Sequence, residues 1–137
     1  KKTKTSAIYK DFAHSPSKLN ATSSAVKKQF TNRKLVACME LHTFSSLNEE
    51  FLKQYKGSMD EPDMAIVYFS PKAIAHKKLE TITKEQVYSS FGRKDLLVFI
   101  DVKKLENYLK SLNWENQNLL MMSSGTFDGI EPQKLVI

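Results

Sequence analysis

Acidic and polar residues that could hold a small ligand lie at or just beyond the ends of three apolar segments in this 137-residue chain. They are Asp11 and His14 after the first segment, Glu40, His42, Thr43, Ser45 and Ser46 after the second, and Ser123, Ser124, Gly125 and Thr126 after the last. Open α/β sheets build their nucleotide and substrate sites at the carboxyl ends of parallel strands. If the three segments are neighbouring strands, these residues meet at one edge of a sheet.

Individual residues of this set have simpler interpretations as well. Ser46 has the position of a helix N-cap, and Gly125 is a residue that permits a tight turn. A helix beginning after Ser46 could also bind a peptide carboxylate, with about 0.3–1 kcal/mol from its dipole. Glu40 could instead pair with an ammonium group. Three polar turns at one sheet edge favour a binding site over separate structural roles.

Other catalytic motifs are absent from the sequence. It has neither a Gly-x-x-x-x-Gly-Lys-Ser/Thr phosphate loop nor a Gly-x-Gly-x-x-Gly fingerprint. The histidines at 14, 42 and 76 lack the spacing of metal ligands, so we expect no metal site. The single cysteine, Cys38, lies in an apolar segment and is predicted to be a buried core residue. The chain alone is therefore a poor candidate for a complete enzyme.

Five apolar segments, at residues 7–12, 35–41, 64–69, 96–101 and 118–123, have the length and composition of strands. They are nearly continuously apolar, which is typical of parallel strands buried on both faces. Helical patterns separate most of them. The sequence therefore predicts an α/β fold: a Rossmann-like three-layer sandwich, with a mostly parallel sheet of five or six strands and helices on both faces. We expect residues 1–6 to be the start of the chain or an interdomain linker, and residues 7–137 to form one domain.

Helix boundaries are marked by capping residues. The signals are Ser15 followed by Pro16, the capping-box pairs Ser46 with Glu49 and Thr83 with Gln86, and Asp101 before an apolar periodic segment. Gly57 and Gly92 are predicted to end two of the helices. Residues 70–82 are the least regular part of the sequence, and the tail 127–137 could form a last helix or an edge strand.

The formal net charge of +6 raises the question of nucleic-acid binding. The basic residues are scattered as short pairs, without a basic stripe or a recognisable nucleic-acid module. We therefore expect a basic face for an anionic small substrate and no nucleic-acid partner. No apolar run approaches the roughly 20 residues of a membrane span, so no membrane association is expected, and a cytoplasmic location fits.

Three motifs resemble one enzyme family. Asp11-Phe12-Ala13-His14-Ser15-Pro16 resembles the signature that opens the C-terminal domain of the Mur ligases, the ATP-dependent amide-forming ligases of peptidoglycan synthesis. Residues 34–46 resemble the family's second strand and polar turn. Residues 119–130 resemble its closing strand and glycine-containing turn, in the form closest to the branch that joins UDP-N-acetylmuramate to a murein tripeptide during recycling. The similarity covers about residues 7 to 131.

This resemblance implies that the chain is the last of three domains. A missing N-terminal domain would bind UDP-N-acetylmuramate, and a missing central domain would hold most of the ATP and Mg²⁺. The resemblance places Asp11 and His14 beside ATP. It places Glu40, His42, Thr43, Ser45 and Ser46, with Ser123, Ser124, Gly125 and Thr126, around the murein peptide that accepts the muramyl group. It implies no catalytic residue and no metal ligand here, a reaction through an acyl phosphate, and no activity for this domain alone.

Two alternatives remain open at this stage. Residues 40–43 contain no arginine, the residue with which related ligases clamp a carboxylate, so the branch that adds free L-alanine is the first alternative. The second is a non-catalytic α/β module that binds an anion or a partner protein through its basic surface.

Overall fold

The computed structural model describes residues 6–12, 15–41, 52–70, 83–123 and 125–131. Its strands are β1 (Ile8–Asp11), β2 (Lys34–Glu40), β3 (Met64–Tyr68), β4 (Leu97–Phe99) and β5 (Gln117–Met122). Its helices are α1 (Pro16–Gln29), α2 (Lys84–Phe91) and α3 (Val102–Ser111), and single 3₁₀ turns lie at Lys53–Tyr55 and Phe127–Gly129. Each predicted strand is confirmed, with ends that differ by one or two residues.

The five strands form one sheet in the order β1-β5-β2-β3-β4, and every neighbouring pair is parallel. The last strand in sequence thus lies between the first two. Leu120 of β5 pairs with Tyr9 on one side and with Ala37 on the other. This arrangement brings the carboxyl ends of β1, β5 and β2 side by side, and it confirms the predicted parallel α/β fold.

Apolar clusters cover both faces of the sheet. On the first face, Leu19 of α1 and Val87 of α2 pack against alternate residues of the strands. On the second face, Leu105 and Leu109 of α3 do the same. Helices therefore lie on both faces, as predicted. Cys38 is fully buried in the second cluster, and burial, followed by the charge of Glu40, raises the pKa of its thiol, so it packs as an apolar residue.

Two predicted helix caps are formed by side-chain hydrogen bonds. At α2, the Thr83 hydroxyl accepts from the Gln86 backbone N–H while the Gln86 side chain accepts from the Thr83 N–H. At α3, the Asp101 carboxylate accepts from the N–H of Lys103 at 2.8 Å. Ser15 occupies the N-cap position of α1 without a side-chain capping bond, so Pro16 marks that start instead.

Several predicted features lie outside the described residues. They are the capping box at Ser46, the irregular segment from residue 71 to 82, and the last six residues of the tail. Gly57 has φ +81° and Gly92 has φ +67°, the left-handed conformation expected of a residue that ends a helix. Among the residues described, no helix is long and apolar enough to cross a membrane.

Polar side chains hold the loops at the amino ends of the strands, which we call the amino edge. The Asn118 Oδ1 accepts from the Ala7 N–H at 2.9 Å and from the Arg33 Nη1 at 3.1 Å. The Asp63 carboxylate accepts from the Leu35 N–H at 2.7 Å. These bonds fix where β1, β2 and β5 begin, and so they set the register that aligns the opposite ends of the same strands.

Candidate functional site

The carboxyl edge, where β1, β5 and β2 end, brings together residues from all three predicted polar turns. The Ser123 N–H donates to the Asp11 carbonyl oxygen at 3.0 Å, and the Ser123 hydroxyl donates to Glu40 Oε1 at 2.7 Å. Hydrogen bonds through Ser123 thus link Asp11 and Glu40, which are 29 positions apart in the sequence. The expectation that these strand ends meet is confirmed.

At this edge, the described residues that come after β2 and after β5 pack on opposite faces of the sheet. Leu52 and Tyr55, which follow β2, pack in the first cluster, whereas Phe127 and Ile130, which follow β5, pack in the second. A crevice opens between adjacent parallel strands whose connections diverge in this way, and ligands of open α/β sheets bind there. The β2–β5 boundary therefore has the topology of a binding crevice.

Glu40 is a buried anchor at the end of β2. It is only 3% exposed, and its Oε1 accepts hydrogen bonds from the Ser123 hydroxyl and from the Phe127 backbone N–H, the latter at 2.9 Å. A buried carboxylate is stable only when such bonds replace its hydration. Glu40 thereby fixes the described part of the segment that follows β5, residues 123 and 125–130, which we call the closing loop.

The closing loop has an unusual backbone. Phe127, Asp128 and Gly129 have φ values of +52°, +50° and +90° in succession. Left-handed conformations cost a non-glycine residue on the order of 1–3 kcal/mol, and a large side chain such as Phe adopts them rarely. The bond from the Gly125 N–H to the Ser123 hydroxyl, at 2.7 Å, helps to fix the start of the loop. Contacts with the sheet must offset the strain of its middle.

Tyr68, at the end of β3, supplies a second anchor. It lies beside Glu40 in the strand register, its hydroxyl donates to the Asp128 carboxylate, and its ring stacks on Phe127 with centroids 6.4 Å apart. Burial, then the hydrogen bond to Asp128 and the charges of Asp128 and Glu40, raise the pKa of Tyr68, with a smaller opposing contribution from Ser70. The phenol therefore remains a protonated donor at neutral pH.

A pocket of about 300 Å³ opens between the end of β1 and the closing loop. Its apolar wall comprises Phe12, Met121, Phe127 and Ile130, and its polar groups come from Lys10, Asp11, Ser123, Gly125 and Thr126. Phe12 is 77% exposed, so a large aromatic surface remains open to solvent at the mouth. A cation, a carboxylate and two hydroxyls beside an apolar wall suit an organic ligand with polar substituents.

The structure places five of the predicted site residues at this edge: Asp11, Glu40, Ser123, Gly125 and Thr126. Six others lie outside the described residues: His14, His42, Thr43, Ser45, Ser46 and Ser124. Sequence reasoning missed Tyr68 and Asp128, because a tyrosine in an apolar strand and an acid in a turn carry no functional signal by themselves. Within the described ranges, no group of three or more His, Cys, Asp or Glu side chains could hold a metal ion.

Comparison with known proteins gives consistent relatives. No protein-family model matches the chain. It is 26% identical over 121 residues to the UDP-N-acetylmuramate–L-alanine ligase of Sulfurihydrogenibium sp. (strain YO3AOP1), a match that covers 87% of this chain and 26% of that enzyme. The chain thus spans about a quarter of the length of the curated relatives it matches.

Two solved structures share the fold. A murein peptide ligase from Psychrobacter arcticus superimposes with a TM-score of 0.67 at 20% identity, over 93% of this chain and 26% of that one. A domain of a Haemophilus ducreyi protein, described as a UDP-N-acetylmuramate:L-alanyl-gamma-D-glutamyl-meso-diaminopimelate ligase, gives a TM-score of 0.60 at 23% identity, over 94% and 87% of the two chains. The fold and its convergent carboxyl edge define a Rossmann-like α/β domain. The sequence relatives together with this fold support membership of the Mur ligase family.

Proposed function

We propose that this chain is the C-terminal domain of an ATP-dependent ligase that joins UDP-N-acetylmuramate to a murein peptide in peptidoglycan recycling or synthesis. The observation that carries the proposal is the position of the closing loop. Glu40 fixes this loop beside Asp11, so that the loop and Asp11 line one pocket. The family resemblance assigns these two strand ends to ligand contact. The Mur relatives and the shared fold support the assignment.

In this proposal, Asp11 is the nucleotide-binding residue of the domain. A carboxylate at the carboxyl end of β1 is an acceptor for the hydroxyls of an ATP ribose, and Asp11 lines the pocket from that position. His14, three residues further on, contacts the nucleotide as well. The central domain carries the phosphate loop and Mg²⁺, and ATP supplies the phosphoryl group that activates the muramyl carboxylate.

The closing loop binds the acceptor, together with the residues that follow β2. Ser123, Gly125 and Thr126 contribute a hydroxyl-rich and amide-rich wall, and Lys10 places a cation at the same pocket. Together they bind and orient a zwitterionic peptide so that its amine reaches the acyl phosphate. Orientation of this kind lowers the activation barrier, because the entropic cost of bringing the amine and the acyl phosphate together is met on binding. This domain therefore positions the nucleophile and contributes no proton-transfer residue.

A second acceptor is supported by a separate observation. The sequence relatives cited here are named as UDP-N-acetylmuramate–L-alanine ligases, whereas the solved structures compared above include a murein peptide ligase. Free L-alanine and a tripeptide present the same amine and differ in size and charge. Because the two acceptors differ in this way, comparing both in one assay decides between them.

The experiment is a ligase assay on the longer protein that carries this chain, with UDP-N-acetylmuramate, ATP and Mg²⁺. The acceptor is either L-alanyl-γ-D-glutamyl-meso-diaminopimelate or L-alanine, and product is followed by mass spectrometry. We expect a kcat/KM at least about tenfold higher with the tripeptide, and no turnover by residues 1–137 alone. A higher kcat/KM with L-alanine would show that L-alanine, and not the tripeptide, is the acceptor. No amide product with either acceptor would refute the ligase function.

A further inference from the structure

We propose that Tyr68 is a positioning residue which, together with Glu40, keeps the closing loop in its pocket-lining shape before any ligand binds. The inference deepens the proposed function and rests on it, because the ligase reaction is what gives the loop its role. Neither side chain lines the pocket, so both act on its shape through the loop.

The two anchors hold different halves of the loop from adjacent strands. Glu40 binds Ser123 and the Phe127 N–H, at the loop's start and middle, whereas Tyr68 binds Asp128 beyond them. Glu40 and Tyr68 are register partners in β2 and β3, so the sheet itself sets the spacing between the two attachment points. Two fixed points on a rigid sheet define the path of the residues between them.

The backbone at these attachment points requires such support. Phe127 and Asp128 are consecutive non-glycine residues with left-handed φ. Each of these conformations costs free energy and persists only where surrounding contacts hold it in place. The Tyr68 ring holds Phe127 from one side by stacking, and its hydroxyl holds the Asp128 side chain. As Phe127 is part of the pocket wall, release of Asp128 changes the shape of the pocket.

Tyr68 is suited to this role by its surroundings. Its ring is buried, since the residue is 2% exposed, and its hydroxyl donates to the carboxylate of the exposed Asp128, a charge-assisted bond that is stronger than a neutral one. The raised pKa keeps the donor proton in place across the neutral range. An anchor with these properties persists in the unliganded domain, which predicts a preformed pocket.

The first test measures amide hydrogen exchange in the 137-residue chain. Tyr68→Phe removes the hydroxyl and keeps the ring that stacks on Phe127. We expect exchange at the Gly129 and Ile130 amides, which donate within the turn, to rise about tenfold through loss of one charge-assisted bond. The matched control is Tyr108→Phe, a tyrosine on the same face whose hydroxyl contacts Met64 sulfur at 3.7 Å, and it should leave both amides unchanged.

The second test uses the same variants in the ligase assay on the longer protein. Tyr68→Phe should raise the KM for the acceptor about tenfold and change kcat by less than about twofold, because only the shape of the binding wall is altered. Asp128→Ala should reproduce this effect, and Asp128→Asn, which keeps an acceptor oxygen, should restore most of the affinity. A double variant of Tyr68→Phe with Asp128→Ala should be no worse than either alone.

Wild-type exchange rates at Gly129 and Ile130 in Tyr68→Phe would overturn the inference, as would faster exchange with an unchanged KM. If the Tyr68→Phe variant does not fold, Asp128→Ala and Asp128→Asn test the inference by the same two measurements, amide exchange and the KM for the acceptor. Faster exchange in the chain, combined with a longer protein that makes no amide product, would refute the proposed function and leave the anchoring of the loop intact.

Discussion

The two edges of the sheet are held by the same kind of contact, a side chain that hydrogen bonds to loop backbone, but the loops they hold differ. At the amino edge, Asn118 and Asp63 accept backbone N–H groups of neighbouring segments, and Arg93 donates to the Met59 and Pro62 carbonyls at 2.8 and 2.6 Å. At the carboxyl edge, Glu40 accepts the Phe127 N–H in a similar way. At each end of the strands, therefore, side chains fix a loop by hydrogen bonding to its backbone.

The difference lies in the loops that are held. The one non-glycine residue with positive φ that the described amino edge contains is Asn116, a type that tolerates this conformation. The closing loop places Phe127 and Asp128 in the same region and lines a pocket. Strained backbone held beside a pocket is typical of functional sites. The comparison indicates that the amino edge stabilises the domain, while the carboxyl edge holds strained backbone beside a pocket.

The largest effect is expected at Glu40, whose loss breaks the carboxyl edge. Glu40→Ala leaves the Ser123 hydroxyl and the Phe127 N–H buried without this acceptor, which should lower the free energy of unfolding by about 2–4 kcal/mol. Glu40→Gln keeps an acceptor oxygen and should lose about half as much. Urea unfolding of the chain measures both. A change below about 0.5 kcal/mol in Glu40→Ala would show that the closing loop is not held in this way.

A smaller effect is expected at the amino edge. Asn118→Ala removes the acceptor for the Ala7 N–H and the Arg33 guanidinium, at an expected cost of about 1–2 kcal/mol. Because Asn118 lies at the opposite end of β5 from the pocket, the KM for the acceptor should stay within about twofold of wild type. Ligase kinetics on the longer protein check this. A tenfold rise in that KM would contradict the division of roles between the two edges.

The smallest effect is a pH dependence at Asp63. Burial opposes ionisation there, but the hydrogen bonds from Lys27 and the Leu35 N–H, with the charges of Lys27 and Lys34, outweigh it and lower the pKa of Asp63. Its contribution is therefore present above its ordinary pKa of about 4 and is lost as the pH falls through the lowered value. Solvent screening limits it to about 1 kcal/mol.

Asp63→Asn checks this by unfolding at several pH values. The difference in stability from wild type should be constant between about pH 5 and 8 and should shrink in more acidic solution. A difference that persists unchanged at the acidic end would show that the carboxylate's charge plays no part at the amino edge.

Much of the fold could be predicted from the sequence, because its signals are local. Continuous apolar segments marked the five strands, and Thr83 with Gln86, and Asp101, marked two helix starts that the structure confirms. The strand order was not predictable in this way. The insertion of β5 between β1 and β2 depends on pairing between segments far apart in sequence, for which a single sequence carries no signal.

The candidate site was predictable in its strand ends and not in its inner contacts. Asp11, Glu40 and Ser123 were found because polar residues follow apolar segments. Glu40 was expected to face a ligand, and the structure places its carboxylate against the closing loop instead, while its part in acceptor binding stays a prediction. Phe127 combines a left-handed φ with stacking on Tyr68, and no local preference of Phe indicates that conformation.

The central claim is that the carboxyl edge is a ligand-binding edge of a Mur ligase, and the ATP dependence of the longer protein tests it most directly. Initial rates of phosphate release should be measured against ATP concentration for wild type, Asp11→Ala and the amino-edge control Asn118→Ala. We predict that Asp11→Ala raises the KM for ATP at least about tenfold and that Asn118→Ala leaves it unchanged, as expected for loss of one ribose hydrogen bond at the site alone. Wild-type KM and kcat in Asp11→Ala would contradict the account.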